Sequence, residues 1–519
     1  MMTGRMILFG KRSSVLALIA TVAFLGCPKA PEPDPLPTPS GTHLLRFVHI
    51  SDTQIVDEES PARVVRFAPL TESAWRPQEA YGIQTLDATL RVVNSLVTGE
   101  KGEESIPIDF VIATGDLADS SQHNELRWFI DTMDGLAVLP DSGDPDGALR
   151  PLPAEDNPKL LYQAEGLDAS IPWYTVFGNH DGLASGTLRI LERGDSPAEW
   201  TAPLLGPVAK LAGFHRIDPP QNKMDPVGAL SPAIILGSQE PANPETLRLP
   251  ILALEAGSIV PDPDRYFINR AAFIEEHFDT TTQPIGHGFT EENRESKLTR
   301  YTVRPDELAP VRIIVMDTVA PNPIPGLPAQ YGVMTQEQFN NFVKPEIEAA
   351  QEAGEFVLLA SHHPSADFDI PYSGATVTAR QFRRYLAKQP NIIAHVCGHT
   401  HQNFVQRFDG DFPYYEIQTG AIIDYPQEGR ILDIYWDEST STMGLASTMF
   451  SHMDNPTVLS EESFRRAEIQ AGIDDEAKTA GVDEIALASR WSPPLPSKAE
   501  RFGTESDRNF RATFPRWTK

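Results

Sequence analysis

Five short polar clusters hold most of the side chains in this sequence that suit metal binding or proton transfer. They are Ser51-Asp52-Thr53-Gln54, Gly115-Asp116 with Asp119 close behind, Gly178-Asn179-His180-Asp181, Ser361-His362-His363-Pro364 and Gly398-His399-Thr400-His401. Carboxylates, amide oxygens and imidazoles together form the mixed nitrogen and oxygen donor set that first-row divalent cations prefer. Asp52 and Gln54 are two apart, as are His399 and His401, so an extended backbone turns each pair toward one side. His362 and His363 are adjacent and point opposite ways, so only one of them can be a ligand. No GxSxG string is present, and the pattern requires no serine or cysteine nucleophile.

Each cluster follows an apolar run that reads as a buried strand: 44–50, 108–113, 173–177, 356–360 and 392–397, with a further run at 311–316. Helical patterns lie between them, near 77–97, 121–133, 335–353 and 378–388. The alternation predicts an α/β architecture with ligands at strand ends. Short strands at 415–418 and 431–436 follow, so the core should close in hairpins. Two long Pro-, Gly- and Asp-rich stretches, 134–170 and 182–297, read as insertions.

The ordered set of five clusters resembles the calcineurin-like metallophosphoesterases, whose motifs run DxH, GDxxD, GNHD or GNHE, a lone His, and GHxH. One fixed four-residue string such as GNHD should arise by chance in well under about 1% of chains this long. The resemblance spans residues 44–453 apart from the insertions. It implies a four-layer αββα sandwich of two mixed sheets flanked by helices. It also implies two divalent cations. One would be held by Asp52, Gln54, the bridging Asp116 and His401; the other by Asp116, Asn179, His362 and His399. His362 is selected over His363 because the family's ligand lies two residues before the proline. A bridging carboxylate fits this scheme physically, since it offsets repulsion between cations about 3.5–4 Å apart.

The departure from the pattern is Gln54, where the commonest first motif has His. An amide oxygen keeps the ligand charge but hardens the site, favouring Mn or Mg over Fe or Zn, which stay possible. A decayed enzyme is the opposing reading of this position. The resemblance further implies hydrolysis of a phosphate ester by a hydroxide shared between the cations. His180 would protonate the leaving group and Asp181 would orient its ring. The sequence leaves monoester versus diester open. The competing reading is an exported metal-containing binding lipoprotein with little or no catalysis.

The remaining polar residues receive smaller parts. His287, flanked by glycines within the second insertion, is a candidate substrate contact, with a satisfied loop histidine as the plainer reading. His395 reads as core, His123 as the start of a helix, and Asp119 as a support for the loop after Asp116. Asp424 with Tyr425 and Pro426 reads only as a bend.

With 43 basic against 72 acidic residues the chain carries a formal charge of -29, which repels polyanions and makes nucleic acid a poor partner. A small phosphorylated substrate is still accommodated, because two cations make a pocket locally positive. No protein partner is evident. Arg5, Lys11 and Arg12 precede an apolar run at 15–25 that is short for a membrane span and ends at Cys27. Residues 1–26 therefore read as a signal peptide and Cys27 as a lipidation site, followed by a tether, 27–41, with six prolines. An ordinary signal peptide that leaves Cys27 idle is the alternative. The expected location is the cell envelope, on its periplasmic or surface side, or otherwise outside the cell. The phosphoesterase domain should span 42–455 with the two insertions, and 456–519 forms a C-terminal extension. In that extension Phe510, Phe514 and Trp517 alternate with Arg508, Arg511, Arg516 and Lys519. Such a pattern suits nucleic acid or an anionic surface, but with Asp and Glu abundant elsewhere it should dock on the parent domain.

Overall fold

The apolar runs fold as strands whose neighbours come from distant parts of the chain. The computed structural model describes residues 39–57, 60, 76–98, 107–143, 157–189, 191–192, 200–201, 262–306, 308–320, 330–369, 374–479 and 496–516. The expected signal peptide, Cys27, nearly all of the tether, much of the second insertion, Trp517 and Lys519 lie outside these residues.

Twelve strands build two six-stranded sheets. In chain order they are β1 (Thr42–Ile50), β2 (Phe110–Ala113), β3 (Trp173–Thr175), β4 (Tyr301–Val303), β5 (Val311–Val315), β6 (Phe356–Ala360), β7 (Ile392–Cys397), β8 (Phe404–Phe408), β9 (Tyr414–Gln418), β10 (Glu428–Asp437), β11 (Thr442–Ser451) and β12 (Arg511–Pro515). The first sheet has the order β12-β11-β10-β1-β2-β3 and the second β4-β5-β6-β7-β9-β8. β1, β2 and β3 run parallel, as do β5, β6, β7 and β9, while the outer strands are antiparallel, so both sheets are mixed.

Strand periodicity sets the layers. Along β5, Val311, Ile313 and Val315 join the large core shared with the first sheet, whereas Ile314 points the other way; β6 divides likewise, Leu358 and Ala360 against Val357 and Leu359. The outward residues pack under α4 (Lys344–Ala353), through Ile347 and Ala350, and α5 (Ala379–Leu386), through Phe382 and Leu386. On the first sheet the core takes in Leu86, Leu90 and Val93 of α1 (Gly82–Thr98), Leu126, Phe129 and Ile130 of α2 (His123–Met133), and Phe273 and Ile274 of α3 (Arg270–Glu276). The arrangement is the four-layer αββα sandwich.

The C-terminal extension is part of this core. After α6 (Val458–Thr479) and α7 (Lys498–Phe502), β12 forms the edge of the first sheet, pairing Phe514 with Met443. Phe510 and Phe514 are buried against Tyr415 of the second sheet. Among the described residues no helix is long and apolar enough to cross a membrane.

Candidate metal centre

β1, β2, β3, β6 and β7 all end on one side of the sandwich, and the five polar clusters continue from those ends. The loops are tied across the sheets: Ile422 N donates to Ser51 O (3.0 Å) and Ile423 N to Asp52 O (3.1 Å). Two glycines are required by close approach. A Cβ on Gly178 would strike Asp116 Oδ1 and N, and one on Gly398 would strike Ser51 Oγ and Asp52 Oδ2. Five of the candidate ligands have left-handed backbones: Asp52 (φ 52°), Gln54 (39°), Asp116 (54°), His399 (69°) and His401 (53°). Such conformations cost roughly 1–3 kcal/mol each and persist where the surroundings impose them, as they do at functional sites.

The seven residues form one cluster. Asn179 Oδ1 lies 2.9 Å from His362 Nε2 and 3.1 Å from His399 Nδ1, and His362 Nε2 lies 3.0 Å from Asp116 Oδ2. Beside them Asp52 Oδ1 is 3.2 Å from His401 Nε2, and Gln54 Nε2 is 3.5 Å from Asp116 Oδ2. The neighbours determine which atom of each residue faces inward. His362 Nδ1–H donates to Thr114 O (2.7 Å), which leaves Nε2 for the centre, and Asn179 Nδ2 donates to Gly186 O (3.0 Å), which leaves Oδ1. His363 is spent elsewhere, Nδ1 on Thr318 Oγ1 (2.9 Å) and Nε2 on Gln330 O (2.9 Å).

This donor set fits divalent cations. Gln54 Oε1 is buried with no hydrogen-bonding partner, an expensive state that a cation would relieve, and buried Asp52 Oδ1 meets His401 Nε2 at 3.2 Å. Asn179 Oδ1, Asp116 Oδ2 and His362 Nε2 are acceptors facing one another, and only a proton or a metal can sit between them. Without metal His362 and His401 carry the proton, whereas burial and the neighbouring His362 push the His399 pKa down to about 3. Burial opposes charge on His362, but Asp116 and Asp52 outweigh it and push its pKa up to about 9. For His401, burial is likewise outweighed by Asp52 and Asp424, giving about 10. Both rings are thus charged at neutral pH and must become neutral to ligate. Mn²⁺ affinity should therefore rise as pH climbs from 6 toward 9, with about two protons released on binding. Calorimetry at pH 7 in buffers of different ionisation enthalpy would show it; no buffer dependence would contradict it.

His180 stands beside the cluster, its backbone N–H donating to Asp116 Oδ1 (2.8 Å). Its ring is not oriented by Asp181, as the resemblance had implied, because Nδ1 is bonded to the backbone carbonyl of Asp119. Asp181 instead accepts the N–H groups of Asp116, Leu117, Ala118 and Gly178 at 2.9–3.1 Å, which fixes the loop carrying Asp116. His287 also departs from its candidate part. It is fully buried, stacks on Trp173 with ring centroids 3.5 Å apart, and bonds His277 Nδ1 (2.9 Å), so it belongs to the core. Ser361, His395 and Glu416 form a serine–histidine–carboxylate chain, at 2.7 and 3.0 Å, but all three are buried and Ser361 Oγ donates to His363 O. The chain bridges β6, β7 and β9 and presents no nucleophile.

Asp424 has far more than a bend to make. Its Oδ2 accepts His401 Nδ1–H (2.7 Å), which aims His401 Nε2 at Asp52, and Gln78 Nε2 donates to Oδ1 (2.9 Å). Arg76 Nε lies 3.1 Å from Oδ1, and Arg501 3.2 Å from Oδ2. Burial alone would raise the Asp424 pKa, but Arg76 and His401 hold it well below the usual carboxylate range. The sequence did carry a signal here, a lone carboxylate within the apolar run Ala421-Ile422-Ile423-Asp424-Tyr425. A weaker partner of the same kind is Asp367, whose Oδ2 is 3.5 Å from His399 Nε2.

Residues 45–222 match the calcineurin-like phosphoesterase family model. The calcineurin-like stretch is roughly a third of the chain and holds Asp52, Gln54, Asp116, Asn179 and His180; it ends before His362, His399 and His401, which the fold brings to it. No curated protein matches the chain significantly. Among solved structures it is similar to a dimetal phosphatase from Danio rerio, at 11% identity and a TM-score of 0.36, covering 79% of this chain and 100% of that one.

Proposed function

We propose that the protein hydrolyses phosphate esters at a dinuclear metal centre. The observation that carries this reading is the convergence of Asn179 Oδ1, His362 Nε2 and Asp116 Oδ2 within 3.0 Å contacts, beside the orphaned Gln54 Oε1 and the pair of Asp52 and His401. Asp52, Gln54, Asp116 and His401 would hold one cation, and Asp116, Asn179, His362 and His399 the other. The amide and carboxylate oxygens favour Mn²⁺ or Mg²⁺. When bound, such cations neutralise phosphate charge and lower the pKa of water. The chain's own groups do the rest. The Asp119 carbonyl holds His180 Nδ1–H, so in the imidazolium form the second proton sits on Nε2, available to a departing ester oxygen. Asp181 keeps the Asp116 loop rigid beneath it.

The test is turnover by the Mn²⁺-loaded full chain of an aryl phosphate against the corresponding bis-aryl diester. Hydrolysis of either supports the reading and their ratio assigns mono- or diesterase. Two bound metals with neither ester cleaved would favour the non-catalytic binding lipoprotein.

The order of basic residues, apolar run and Cys27 supports export with lipid attachment at Cys27. Cys27→Ser should release the protein from the membrane fraction into the soluble one. Failure of labelled fatty acid to appear on the wild type would count against this.

A further inference from the structure

The C-terminal extension lies beyond the family match, yet it touches the loop that carries His401 from two sides. Arg501, on α7, is 1% exposed and sets its guanidinium 3.2 Å from Asp424 Oδ2, the oxygen that accepts His401 Nδ1–H. Its own backbone carbonyl accepts the N–H of Asn403 (3.1 Å), two residues past His401. Three further contacts hold the segment there. Asn403 Nδ2 donates to Phe502 O (3.4 Å), Val405 N donates to Asp507 Oδ1 (3.0 Å), and Arg508 pairs with Glu428 (2.7 Å) just after the Asp424 turn.

We infer that residues 496–508 are a positioning element of the metal centre, with Arg501 acting through Asp424 to aim His401. The inference rests on the dinuclear reading of the site. A carboxylate bonded to the far nitrogen of a ligating histidine fixes its tautomer and ring angle and raises its basicity. Asp424 is buried, and it can hold that geometry as an anion only with cations beside it. Arg76 and Arg501 are those cations, and Arg501 comes from the far end of the chain. The consequence is specific to one cation, because His401 belongs to the Asp52 and Gln54 side of the centre. The His362, His399 and Asn179 side does not touch the extension through Asp424.

The experiment is Mn²⁺ titration by calorimetry on the full chain and on Asp424→Asn, Arg501→Met and Arg501→Lys. Melting of the metal-free proteins serves as the folding control. Asp424→Asn should weaken one of two sites by about 10- to 100-fold and leave the other unchanged. Arg501→Met should weaken the same site by about 10-fold, with partial recovery in Arg501→Lys, which keeps the charge but loses the fork geometry. A loss confined to melting temperature, or spread equally over both sites, would overturn the inference by showing a merely structural role. Wild-type affinities in both Asp424→Asn and Arg501→Met would also overturn it. Should Arg501→Met fail to fold, the near-isosteric Asp424→Asn decides alone. A wild type that binds two Mn²⁺ but cleaves neither ester removes the phosphoesterase reading and leaves this inference to the affinities. A wild type that binds no divalent metal removes both.

Discussion

Asp116→Asn should strip the centre of both cations and, with them, of turnover. The two oxygens of Asp116 have different employment: Oδ1 accepts the backbone N–H of His180 at 2.8 Å, and Oδ2 faces His362 Nε2 at 3.0 Å. An asparagine must keep its oxygen toward the His180 N–H, because an amide NH₂ there would set donor against donor. That choice turns the NH₂ toward His362 and the cations, replacing a shared anionic ligand with a donor. The bridging charge that offsets cation repulsion disappears at the same step. Mn²⁺ affinity should fall by more than the roughly 10- to 100-fold typical of losing an outer hydrogen-bonding partner. Elemental analysis after gel filtration reads the result, and two metals retained per chain would refute the argument. The fold should survive, since the substitution conserves volume and Asp181 still holds the loop through the backbone N–H groups of residues 116, 117 and 118.

The site's layout was legible because chemistry and punctuation coincide in this sequence. The runs 44–50, 173–177, 356–360 and 392–397 each stop at a glycine or serine followed by a polar group, and strands 356–360 and 392–397 end where the structure ends β6 and β7. What stayed hidden are contacts that sequence does not mark. The carbonyl that orients His180 is a backbone atom of Asp119, and every residue has one, so the motif pointed instead at the adjacent carboxylate of Asp181. Asp424 and Arg501 are 77 positions apart and meet because residues 501–508 are bonded to Asn403, Val405 and Glu428. His287 misled for the opposite reason. Its place in the second insertion made it a candidate substrate contact beside the plainer reading of a satisfied histidine, but the flanking glycines serve a tight turn with φ of 86° and 105° that tucks the ring under Trp173.

The protonation step can be separated from metal binding at His180. Its neighbours Asn179 and Asp181 face the centre and the loop backbone, whereas its own ring is held by Asp119, through the backbone carbonyl and a carboxylate oxygen 3.7 Å from Nδ1, and by Gly186, on which an added Cβ would meet Nε2. His180→Asn should therefore leave two metals in place while turnover falls by about 10²- to 10⁴-fold, the usual range for general acid catalysis. The loss should scale with leaving-group basicity. An alkyl phosphate needs the proton as its bond breaks and should suffer most; a nitrophenyl phosphate departs as a stable anion and should suffer least. The effect should appear in kcat rather than in KM, because a proton handed over in the transition state adds little to ground-state binding. Metal content and both substrates must be measured together. Equal losses on the two esters would show that His180 does not protonate the leaving group. Loss of metal would show that the ring serves the metal centre rather than the leaving group, because the backbone bond to Asp116 is kept in the variant.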